Sequence, residues 1–237
     1  MSEKTLVELA KKGSSVFLNP GREFPWTEIV NGLVLEESGS SRKFYAVAPN
    51  TFRSFHRIDK SKPGAFPAFK QFFTDEKDAI ISRLSGISNR HELHDLENEI
   101  AESIRVRLWN IKPDRISSYN KMRKPIDLYI EHLVAMASEL SSVRSRLIPL
   151  LLLPLDSQMI SSDLVFSQEE LHQAALSRSS TYSHVENRQS YMVLQQTVEK
   201  KAIEVSRRIS RHFYPIYFDL LWNKRYCRKG SFLFELN

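Results

Sequence analysis

From about residue 66 onward, apolar residues recur at helical spacing, whereas the first 60 residues mix that spacing with alternating, β-leaning runs. Thr5 to Lys12 reads as a short helix that Gly13 would end. Asn19-Pro20-Gly21 reads as a turn. Ile29 to Glu36 and Lys43 to Ala48 read as two strands joined by the loop Glu37 to Ser41. The breaker-rich segment Asp59 to Pro67 then reads as a linker into a helical region.

The helix signals beyond it are specific. Asn89 with Glu92 resembles a capping box, opening a helix whose Leu93, Leu96, Ile100, Ile104 and Leu108 share one face. Pro125 suits a first helical turn, followed by the stripe Ile126, Ile130, Leu133, Ala137 and Leu140. Ser167 with Glu170 forms another capping box, with Phe166 and Leu171 placed as its hydrophobic staple. Ser183 with Glu186 is expected to open the longest helix, running to about His212, because Pro215 disfavours continuation. Its stripe is Tyr191, Leu194, Val198, Ala202, Val205 and Ile209. The alternation over residues 230–236 suggests a final strand. The expected fold is therefore mainly α (α+β): a small mixed element with an antiparallel β component over 1–60 and a helical domain over 66–237.

The nine-residue apolar run Leu147 to Leu155 is interrupted by two prolines. It falls well short of the about 20 residues a bilayer span needs, so it is expected to be buried core, with no membrane partner. A charged N-terminus without an apolar signal core and a single cysteine, Cys227, fit a cytoplasmic location.

Charge changes the picture more than composition does. Between Lys200 and Lys229 lie nine basic residues and two acids, nine minus two giving +7, against +6 for the whole chain. The net charge is thus local, as expected of a surface that meets phosphates. Lys200, Arg207, Arg211, Lys224, Arg225, Arg228 and Lys229 are candidate phosphate contacts, and Trp222 and Tyr226 candidate stacking residues.

Arg208 and His212, four residues apart, read onto the apolar side of the long helix, where an arginine needs an anion. Asp127 and Glu131, also four apart, lie at the edge of the stripe after Pro125 and could answer Arg208 or hold a divalent metal. Together Arg208, His212, Asp127 and Glu131 are the candidate catalytic set of a nuclease, with His212 as acid or base. No cofactor is otherwise expected. His91, His94 and Asp95 offer a weaker metal spacing. No Gly-x-Gly-x-x-Gly, Walker or Gly-x-Ser-x-Gly pattern occurs.

Arg207-Arg-Ile-Ser-Arg-His212 also resembles the Arg-x4–6-His pattern of HEPN ribonucleases, over six residues and with Arg208 where that family usually carries Asn, Asp or His. The resemblance would imply Arg207 and His212 as a metal-independent RNA-cleaving pair in a helical, commonly dimeric protein. The leading expectation is a nucleic-acid-binding protein which, with the catalytic set above, would be a nuclease of a defence or toxin type. The alternative is a non-enzymatic homo- or hetero-oligomeric subunit whose segment Phe213 to Trp222 packs against a partner, since aromatics and arginine favour interfaces.

Overall fold

The computed structural model describes residues 1–37 and 40–222. The chain is mainly helical, with ten α-helices and one two-stranded sheet among the described residues. Helix α6 (Tyr119–Met136) is the centre: 14 of its 18 residues are buried, and α5 (Arg90–Arg107), α2 (Trp26–Asn31) and α10 (Arg188–Ile209) pack around it. A helix buried on most faces needs more than an amphipathic stripe, and α6 carries polar residues inward as well.

The N-terminal residues share this core. Helix α1 (Glu3–Gly13) packs on α10, and Leu6, Leu9, Phe17 and Trp26 belong to the same apolar cluster as α6. Phe24 pairs with the end of α6 through its amide to the Met136 carbonyl, 3.0 Å. The buried Trp26 indole donates to the Phe73 carbonyl at 2.7 Å. The hairpin is β1 (Leu33–Glu37) with β2 (Ser40–Phe44), antiparallel, Leu33 opposite Phe44. It is tighter and earlier-ending than its apolar runs suggest. Ile29 and Val30 instead bury their side chains from α2.

Three helix boundaries differ from expectation. Gly13 is the last residue of α1 but does not stop the helical path by a left-handed turn: its φ is −59°, and the chain continues helically through Ser14–Leu18. The glycine is needed for space, because a Cβ there would lie 2.4 Å from Cγ of Tyr217. Pro125 lies inside α6, not in its first turn, which removes one helical hydrogen bond that tertiary burial must offset. The long helix is capped by Asn187, whose side chain accepts from the Ser190 amide at 2.9 Å. It ends at Ile209, where Ser210 adopts a left-handed conformation (φ 49°). Ser183 lies in a separate helical turn, Tyr182–His184.

The remaining signals fall where expected. Asn89 caps α5, and Ser167 with Glu170 forms a complete capping box on α9 (Gln168–Gln173). Leu147, Ile148, Leu151, Leu152, Leu153 and Leu155 are buried. Gln195 of α10 clamps that run, its side chain exchanging bonds of 3.0 and 2.8 Å with the Leu153 backbone. Among the described residues no helix is long and apolar enough to cross a membrane.

Candidate nucleic-acid interface

The last turns of α10 present Lys200, Arg207 and Arg208 to solvent. Arg208 does not enter the apolar stripe. At about 100° per residue it falls near 260° from Tyr191, outside a stripe spanning about 300° to 20°. Its charge is therefore hydrated and needs no buried acid. Ser210 then turns the chain, and Ser206 locks the turn. Its hydroxyl donates to the Ala202 carbonyl and accepts from the Phe213 amide at 2.9 Å. This elbow takes His212 off the helix and leaves Arg211 and His212 exposed, while Phe213, two residues past Arg211, is buried. The His212 and Tyr214 rings lie nearly parallel, 11° apart in plane, with centroids 6.0 Å apart.

Opposite the elbow, the end of α1 completes a surface cleft of about 520 Å³. Lys11, Ser14, Ser210, Arg211, His212 and Tyr214 line it, and among the described residues no carboxylate does. None of Lys11, Lys200, Arg207, Arg208 or Arg211 makes an ion pair among the described residues. Glu204, three and four residues before the two arginines, pairs with neither. Several cations elsewhere are answered: Arg83 by Glu99, Arg107 by Asp75 and Glu76, Lys201 by Glu170.

The structure does not assemble the acids with Arg208 and His212. Asp127 and Glu131 are fully buried on α6. Asp127 is answered by Arg123, one turn earlier, at 3.1 Å, and by the Tyr191 hydroxyl, which donates at 2.8 Å. Arg123 also binds Glu97. One cation thus faces two carboxylates. Asp127 has the extra hydroxyl donor, so the surplus proton falls on Glu97, whose pKa burial pushes up to about 8. His94 belongs to the same network, with Nε2 3.0 Å from the Tyr119 hydroxyl. Burial, with Arg123 and Arg188 nearby, lowers its pKa to about 4, so it is neutral at pH 7. The network was not read from sequence. The i,i+4 spacing of Arg123 and Asp127 is its one visible sign.

Among the described residues Glu131 has no hydrogen-bond partner at either oxygen. Burial, then Asp219 and Asp127, hold its pKa well above the ordinary value. Among the described residues no group of three or more His, Cys, Asp or Glu side chains is placed to hold a metal ion. His91 and Asp95 form an exposed 2.9 Å pair instead.

The aromatic segment after the elbow divides. Phe213, Tyr217 and Phe218 are core, and Trp222 is half-buried against it. Trp222 lines a cavity of about 50 Å³ with Lys124, Asp156 and Asp219, room for a few waters. Burial raises the Asp219 pKa to about 7. Lys224, Arg225, Tyr226, Arg228, Lys229, Cys227 and the strand expected over 230–236 lie outside the described residues. No family model matches this chain, and no significant match is found among curated proteins or solved structures.

Proposed function

We propose that this protein binds nucleic acid through the basic edge made by the last turns of α10, the Ser210 elbow and the end of α1. One observation carries this reading: Lys11, Lys200, Arg207 and Arg208 are exposed on two helices that pack together, Arg211 is exposed at the elbow that follows α10, and none of the five has a carboxylate partner among the described residues. Unanswered surface cations, two of which (Lys11 and Arg211) meet at one cleft, suit a polyanion, because phosphate contacts release counterions from the nucleic acid. Binding, not cleavage, is what this face supports. His212 is exposed, among the described residues no acid or hydroxyl hydrogen-bonds to it to fix a tautomer, and Asp127 and Glu131 are enclosed elsewhere. The test is fluorescence anisotropy with a labelled oligonucleotide. Lys200→Gln, Arg207→Gln and Arg211→Gln together are expected to weaken binding at least tenfold (about 1.4 kcal/mol), whereas Arg83→Gln, at an ion-paired surface arginine, leaves it unchanged. Equal affinities in both variants would overturn the assignment.

A second reading, a protein-interaction subunit, draws support from a different surface than the aromatic segment. Trp109 and Val106 are 66% and 79% exposed near the end of α5, and exposed tryptophan is a common interface anchor. Light scattering that shows a dimer in the wild type and a monomer in Trp109→Ala would favour it; a wild-type monomer would count against self-association.

A further inference from the structure

We infer that the cleft between α1 and the Ser210 elbow takes one unpaired nucleotide, so that the protein prefers single-stranded over duplex nucleic acid. The inference rests on the proposed nucleic-acid binding and adds the form of ligand. The cleft has two kinds of wall. Lys11 and Arg211 supply charge, with the Ser14 and Ser210 hydroxyls beside them as donors. A phosphate accepts from both kinds of group, and no lining carboxylate repels it. The other wall is flat and aromatic, made by His212 and Tyr214 in nearly parallel planes. Stacking on such a face accepts any base, but the base must first leave its pair, which a continuous duplex forbids.

The dimensions agree. A volume of about 520 Å³ lies within the 300–1,000 Å³ usual for small-ligand sites. That volume is of the size that admits a single nucleotide. The wall is also fixed in place. Ser206 holds the Phe213 backbone, Phe213 is buried, and Tyr214 packs partly against the core, so the ring next to His212 is not a free side chain. His212 itself is exposed, and among the described residues that ring is its one recorded partner. These surroundings leave its ring face free for stacking.

The experiment compares anisotropy of a short labelled single strand and the same sequence as a blunt duplex, at low salt. Wild type, His212→Ala, Lys11→Gln and Lys200→Gln are titrated, with circular dichroism confirming the fold of each. The single strand is expected to bind more tightly than the duplex. His212→Ala should weaken single-strand binding by about tenfold, as loss of one stacked base does, and leave duplex binding unchanged. Lys11→Gln should weaken the single strand more than the duplex, and Lys200→Gln, outside the cleft, should weaken both alike. Duplex bound as tightly as single strand, or a His212→Ala variant indistinguishable from wild type on the single strand, would overturn the inference while leaving general nucleic-acid binding intact. No binding of either probe would overturn both.

Discussion

Glu131 offers the sharpest test of the electrostatics of the core. Its carboxyl is buried in the middle of α6, with neither oxygen hydrogen-bonded. Burial keeps it protonated well above the ordinary value of 4.5, and Asp219 and Asp127 act in the same direction. A carboxyl whose pKa is raised on folding takes up a proton as the chain folds. Its contribution is fully present below the unfolded value and is lost as pH rises toward the folded one. The loss is about 1.4 kcal/mol for each pH unit in that window. Glutamine has nearly the same shape, is equally unpaired, and has no proton to take up. Glu131→Gln should therefore match wild type near pH 4 and exceed it by a margin that widens as pH rises above the ordinary value of 4.5. Glu131→Met should gain about 1–3 kcal/mol more at every pH, because it also removes the unsatisfied polar group. Urea unfolding followed through the buried Trp26 fluorescence reads each curve. Parallel wild-type and Glu131→Gln curves across pH would refute the reasoning and place a hidden partner beside Glu131.

Other substitutions test neighbouring parts of the account. Gly13→Ala should destabilise by about 1–3 kcal/mol in thermal melts, since the new methyl meets the Tyr217 ring, although alanine is the better helix former by about 1 kcal/mol. Arg123→Met should cost about 3–5 kcal/mol in urea unfolding by leaving Glu97 and Asp127 buried without their cation. His94, depressed to about 4 in the fold, contributes stability that is present above its ordinary 6.5 and lost as pH falls toward 4. His94→Gln should flatten that acid limb by up to about 3 kcal/mol relative to wild type.

The mainly helical fold with a small antiparallel hairpin was legible because its signals are local. Asn89, Ser167 and the Leu93–Leu108 face each act within one or two turns. The boundaries that moved depend on contacts distant in sequence. Gly13 follows from the Tyr217 ring some two hundred residues later, and Pro125 is tolerated because α6 is enclosed. The elbow at Ser210 was hidden because a left-handed serine carries no composition signal, so His212 reads as helical when it is not. The charge concentration near the C-terminus did point to the solvent-exposed Lys200, Arg207 and Arg211. The contribution of Lys11 from α1 was invisible, because helix-on-helix packing across the whole chain brings it there. Asp127 and Glu131 were recognised as unusual, but Arg123, not Arg208, answers Asp127, and nothing answers Glu131.

The most direct measurement is the salt dependence of binding to a labelled single-stranded oligonucleotide. The account predicts that log affinity falls linearly with log salt, and that removing the three cations Lys200, Arg207 and Arg211 lowers the slope by about 2, at roughly 0.7 per phosphate contact. An absence of binding at low salt, or an affinity that neither salt nor the triple variant changes, would contradict it.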